Sequence, residues 1–142
     1  MSKIIFLILI LSTILFFALK NKTPVKTIKI ELGHKTFDLE IAQTISQKAR
    51  GLSQRNNLCP NCGMIFVYQK EGTYPFWMKN THIPLDIIWI DSVGKVVDIK
   101  TGQPQDLSLL TNSTPAQYII ETNPDVTGLF VNDIVKLPNE FN

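Results

Sequence analysis

Cys59 and Cys62 form a C-x-x-C pair, and they are the two side chains whose type and spacing most directly suggest chemistry. Such a pair can be a redox dithiol, half of a zinc site or a structural staple. A redox pair usually opens a helix whose N-terminus lowers one thiol pKa. Here it leads into the apolar run Met64–Tyr68 instead. Zinc usually takes four ligands, and the other nitrogen donors of the usual kind are His34, in a turn, and His82, in a distant loop. A disulfide outside the cytoplasm is the simplest reading. A thiol redox protein, a metal-binding module using both cysteines with His82, and two idle thiols remain as alternatives.

A second group is polar. Trp77, Lys79, Asn80 and Asp86 lie within ten residues of one another, and Arg50 or Arg55 could join them. In a binding groove the indole would supply apolar area and the polar groups orientation. In a purely architectural role Asn80 and Thr81 would bond nearby backbone, and Asp86 would accept those amides or pair with Lys79. The architectural role is the more common one for an Asp beside a turn. Enzyme templates are missing: there is no G-x-S-x-G elbow, no phosphate-cradling glycine loop and no H-E-x-x-H. Asp86 and Asp91 stand five apart, on opposite faces of one extended run, and cannot act as a close pair. Catalysis, a cofactor and a resident metal are therefore not expected.

The elements that must position these residues follow from periodicity. Ile28, Ile30 and Leu32 alternate with polar residues, as do Phe37, Leu39 and Ile41, and Gly33-His34 between them suits a two-residue hairpin turn. Thr44–Leu52 changes to a helical period, with Ser46 a candidate cap and Gly51 a candidate C-terminal stop. Met64–Tyr68 and Leu85–Ile90 are apolar on both faces, which predicts buried strands. Lys95–Ile99, Ala116–Glu121 and Ile134–Leu137 supply the remaining strands, and Thr101–Pro115 is a long loop. Trp89 and Ile87 are predicted opposite Asp86, with Phe66 in the neighbouring strand. The expected fold is all-β to α+β, a small β-barrel-like domain of seven or eight short strands with one short helix.

The first twenty residues differ from the rest. Ile4–Leu19 is sixteen residues without a charge, and its polar members are Ser12 and Thr13. As a helix it rises about 24 Å against a hydrocarbon core of roughly 30 Å, a gap that Lys3 and Lys20 can close by snorkelling. Residues 1–20 thus read as a transmembrane signal anchor, 21–26 as a linker and 27–142 as the domain. A cleaved signal peptide is the alternative, but no small-residue cleavage pattern follows the apolar run. Lysines near the span mildly favour a cytoplasmic domain. Likeness to an export signal and the cysteine pair favour an extracytoplasmic one, periplasmic or at the cell surface, and that is the reading adopted. From Thr27 onward there are 10 Lys and Arg against 12 Asp and Glu, so no basic face invites nucleic acid.

In order along the chain stand Arg50-Gly51-Leu52, Gly63-Met64-Ile65-Phe66-Val67-Tyr68, Phe76-Trp77-Met78-Lys79-Asn80-Thr81, Pro84-Leu85-Asp86-Ile87-Ile88 and Tyr118-Ile119-Ile120-Glu121. This series resembles the DUF192 family, also catalogued as UPF0127, over roughly residues 27–137. The resemblance implies a compact β-rich domain, often exported or membrane-anchored, of unestablished biochemical role. Two features depart from the family pattern. One is the Cys59–Cys62 pair. The other is Asn123-Pro124 and Asn132-Asp133, which stand where glycine-containing turns are usual. The reading that results is a non-catalytic, membrane-tethered domain that binds a protein or envelope component.

Overall fold

The computed structural model describes residues 25–141. The predicted anchor and most of the predicted linker lie outside the described residues. Among the described residues no helix is long and apolar enough to cross a membrane.

The hairpin forms as its alternation demands. Strand β1 (Thr27–Leu32) pairs antiparallel with β2 (Lys35–Ala42), and Gly33 takes φ 60° in the turn. A short helix, α1 (Ile45–Arg50), follows. Its N-cap is Thr44 rather than the expected Ser46. The Thr44 hydroxyl accepts the Gln47 amide while Gln47 Oε1 accepts the Thr44 amide, a reciprocal capping box that Ser46 has no partner to make. Gly51 ends the helix at φ 49°, as expected. The chain then returns through the 51–61 loop to β3 (Cys62–Gly72), which runs parallel to β2. A parallel neighbour requires such a crossover, and α1 with its loop supplies it.

Strand β4 (Leu85–Ile90) turns back into β5 (Val96–Gly102), and β6 (Ala116–Thr122) closes the set. The strand order is β1-β2-β3-β6-β4-β5, so β6 is inserted between β3 and β4. Every residue of β4 is buried, because both sheet faces are covered. One face carries a cluster with Ile30, Phe37, Leu39, Ile65, Ile88 and Ile120. The other carries Leu52, Phe66, Phe76, Met78, Ile87 and Trp89.

Three expectations need correction. The sheet has six strands and is not closed. The first cluster draws on both edge strands, with Ile30 and Leu32 of β1 and Val96 of β5, so the sheet curls around it. The 123–135 segment occupies the place a closing ladder would need. On one side its Thr127 carbonyl lies against Gly33; on the other, the Val96 amide donates to Asp133 and the Asn132 amide to Val96. The strand expected at Ile134–Leu137 is thereby reduced to a single bridge, Lys95 to Ile134. Phe66 is also not in the strand next to Trp89. Both pair with Ile119 of the intervening β6, which leaves them on the same face but two strands apart.

The turns that lack the family's glycines keep left-handed geometry all the same. Asp125 has φ 59° and Asn132 φ 82°, a region that Asn and Asp tolerate better than other residues with a Cβ.

Candidate functional site

Glu121 sits near the end of β6, in register with Met64 on one side and Ile87 on the other. That register aims it at the face carrying Phe66 and Trp89. It is 5 % exposed, and its carboxyl accepts the Leu52 amide while Oε2 has no hydrogen-bond partner. Burial pushes its pKa up to about 7, against the opposing pull of the Leu52 amide and the Arg55 guanidinium. Arg55 itself is engaged elsewhere, holding both oxygens of Glu40 at 2.7 Å.

Above Glu121 opens a cleft of about 570 Å³ between α1, the 51–53 turn and the 75–81 loop, a size usual for small-molecule sites. Its inner wall is Phe66 and Phe76, packed edge to face with centroids 4.8 Å apart. Its rim is aromatic and cationic. Lys48 Nζ lies 3.9 Å from the centroid of the Tyr68 ring, and Lys79 Nζ lies 5.0 Å from that of Trp77. Both distances are within cation–π range. Desolvation lowers the Lys48 pKa, and burial near Tyr74 and Glu121 pushes that of Tyr68 up to about 12. Trp77 is half exposed.

Gly51 does double duty here. Its φ of 49° disfavours a side chain, and a Cβ would stand 3.4 Å from Phe66 and 3.5 Å from Glu121 Oε2. Glycine therefore lets the 51–53 turn lie close over the carboxyl without a side chain against it.

Of the side chains singled out in the sequence, Trp77, Lys79 and Arg50 come together at this cleft. Asn80 and Asp86 do not line it. Asn80 takes φ 57° in a turn and its carbonyl accepts the Gln54 amide at 2.7 Å. Asp86 points to the opposite sheet face, where Oδ1 accepts the Thr101 hydroxyl at 2.7 Å and Oδ2 the Asp125 amide at 2.8 Å. It pins the 123–128 turn, an architectural role with a partner distant in sequence. Sequence reasoning did not single out Glu121 as a site residue. The available signal was a lone carboxylate closing the apolar run Tyr118-Ile119-Ile120.

Cys59 and Cys62 are disulfide-bonded, with Cα atoms 5.1 Å apart. Cys62 opens β3, so no helix N-terminus faces either sulfur. His82 Nδ1 lies 2.8 Å from Asn56 Oδ1. Among the described residues no group of three or more His, Cys, Asp or Glu converges to hold a metal. The loop has other ties: the Cys62 amide donates to the Cys59 carbonyl, and Asn123 Nδ2 reaches the Leu58 and Cys59 carbonyls. The double change Cys59→Ser with Cys62→Ser is thus expected to leave the domain folded and to lower stability by about 2 kcal/mol or less, since the closed loop is very small. Chemical denaturation of both forms checks this, and global unfolding of the variant would refute a merely local staple.

The model of the DUF192 family, described as uncharacterized ACR, COG1430, matches residues 27–131. A UPF0127 protein of Thermococcus kodakarensis is 34 % identical over 88 residues, covering 58 % of this chain and 52 % of the relative. The chain therefore spans about half the length of the curated relatives it matches. A crystal structure of a protein of unknown function from Novosphingobium aromaticivorans superposes with a TM-score of 0.75 at 28 % identity, covering 82 % of this chain and 89 % of the other. One from Sinorhizobium meliloti, carrying the provisional description of a transcription regulator, has a TM-score of 0.75 at 27 % identity and covers 82 % and 97 %.

Proposed function

The chain belongs to the DUF192 family, and on that premise we propose that it is a membrane-tethered, non-catalytic binding domain whose ligand enters the cleft above Glu121. The observation that carries the reading is the buried Glu121 carboxyl in the lining of an aromatic-walled cleft, with Oε2 unpartnered. Buried polar atoms are almost always satisfied, and one left open in a cleft is a natural contact for a bound group. Catalysis finds little support. Among the residues lining the cleft, no second carboxylate stands beside Glu121 to act with it as an acid–base pair.

The apolar Ile4–Leu19 run supports the tether, and the tether together with the disulfide supports a domain facing the periplasm or cell surface, with an envelope component as ligand. A regulator of transcription by contact with DNA is the poorer reading, because the domain from Thr27 onward carries slightly more acid than base.

The test uses the full chain extracted from host membranes after a high-salt wash. Wild type and Glu121→Leu are denatured and the small molecules they release compared by mass spectrometry. The expected result is a compound retained by wild type and reduced or absent in the variant. Recovery of the protein in the soluble fraction would sink the tether. Equal content in the two proteins would sink the cleft as the binding site.

A further inference from the structure

The charges lining the cleft are divided by depth. At the floor stands one acid, Glu121, and among the cleft's lining residues no other carboxylate accompanies it. Around the mouth stand three cations, Lys48, Arg50 and Lys79. Ion pairs among the described residues join Lys26 to Glu140, Arg55 to Glu40 and Lys100 to Asp98. None of the three rim cations is in that set. Between floor and rim lies apolar wall, chiefly Phe66 and Phe76.

We propose that this cleft recognises a zwitterion, with a primary ammonium on Glu121, an adjacent anionic group on the Lys48–Arg50–Lys79 rim, and apolar remainder against Phe66 and Phe76. The inference rests on the cleft being a binding site and names what the site takes. Each end of the site selects its group by elimination.

A buried carboxylate is stabilised by a cation or a donor, and the nearby guanidinium is held by Glu40 at 2.7 Å on both oxygens. A lone anion entering the floor would meet Glu121 and be repelled. A divalent metal would find a single carboxylate, too few ligands for the usual cages. An ammonium with its own protons can donate to the Glu121 carboxyl, whose Oε2 is buried and unpartnered beside Gly51, a residue with no Cβ to stand against it. A quaternary ammonium has no such proton. At the mouth, the Lys48 and Lys79 ammonium groups over the Tyr68 and Trp77 rings, with Arg50 beside them in the lining, present their charge to an anion placed above.

Two sources carry this chemistry: a free amino acid with an apolar side chain, and the phosphoethanolamine head of a lipid. Calorimetric titration of the full chain in maltoside micelles tests both, using L-phenylalanine and phosphatidylethanolamine dispersed in the micelles. The controls are phenethylamine, which lacks the anion, 3-phenylpropanoate, which lacks the ammonium, and phosphatidylcholine, which lacks the ammonium protons.

At least one of the two zwitterions should bind about tenfold or more tightly than its own controls, and the arm that responds names the source. Glu121→Gln should weaken that binding by about 30-fold or more, while Lys48→Ala with Lys79→Ala should weaken the zwitterion but not phenethylamine. Controls that bind as well as the zwitterions, an unaffected Glu121→Gln protein, or no binding in either arm would overturn the proposal. If that happens while wild type alone retains a membrane-derived compound that Glu121→Leu loses, the cleft still binds and only the ligand class falls. If neither protein retains anything, both readings fall together.

Discussion

Replacing Trp89 with alanine is expected to lower stability by about 3–5 kcal/mol, the usual cost of truncating a buried large aromatic. Trp89 is fully buried near the end of β4, stands edge-on to Phe76 with centroids 6.1 Å apart, and donates its indole Nε1–H to the Tyr74 carbonyl at 3.1 Å. Truncation removes the ring from the cluster beneath the cleft. It also leaves a carbonyl without its donor, a further cost that Trp89→Phe would share without most of the cavity. Because a domain of this size has only about 5–15 kcal/mol in hand, Trp89→Ala should melt far lower or fail to fold, and Trp89→Phe should lie between it and wild type. Thermal unfolding followed by far-ultraviolet circular dichroism reads the series. An unchanged midpoint for Trp89→Ala would mean that β4 is placed wrongly.

The second large effect depends on pH. Glu121 has its pKa raised in the folded protein from the ordinary 4.5 to about 7. An acid raised on folding is bound more tightly to its proton in the native state than in the unfolded chain. Its ionisation therefore opposes folding. The penalty is absent below about pH 4.5, grows as pH rises towards 7, and is complete above that. A rise of this size corresponds to something on the order of 3 kcal/mol.

Glu121→Gln abolishes this titration while keeping a side chain of similar shape. Relative to wild type, the variant should gain stability on the order of 3 kcal/mol between pH 4.5 and pH 8.5, with the change centred between pH 5 and 7. Taking the difference between the two proteins at each pH cancels the titration of every other group. A flat difference across that window would show that Glu121 is not buried as described. A ligand ammonium on Oε2 would draw the pKa back down, so a bound ligand should flatten the same curve.

The two predictions concern neighbours on one sheet face, yet only Trp89 could be placed from the sequence. Leu85–Ile90 reads as a buried strand from composition alone, and its alternation puts Trp89 and Ile87 opposite Asp86, as the structure has them. The hairpin turn at Gly33, the helix stop at Gly51 and the family resemblance are equally local, written in consecutive residues. Asp86 was legible as an architectural acceptor but not its partner, since Asp125 is 39 residues away. Thr44 and not Ser46 caps the helix because Thr44 has a glutamine three residues on to complete a capping box.

What the sequence by itself determined is the content of the elements. It marked the six runs that form strands, though it added Ile134–Leu137, which forms only a bridge. It also set which side of each is apolar, where the hairpin and helix end, and which family these residues belong to. Each follows from periodicity, turn chemistry or the order of short motifs, all of which act over a few residues. What only the tertiary structure decided is the pairing. Periodicity shows that a strand buries both faces without naming the strands beside it. The insertion of β6 between β3 and β4, the parallel β2–β3 pair and the occupation of the sheet's gap by the 123–135 segment all join residues far apart in the chain. Glu121 is the product of that pairing. Its neighbours Met64 and Ile87 come from strands on either side, and its lid, Gly51 and Leu52, comes from a crossover loop seventy residues earlier. An isolated glutamate at the end of an apolar run becomes a buried, half-satisfied carboxyl only when those distant segments close around it.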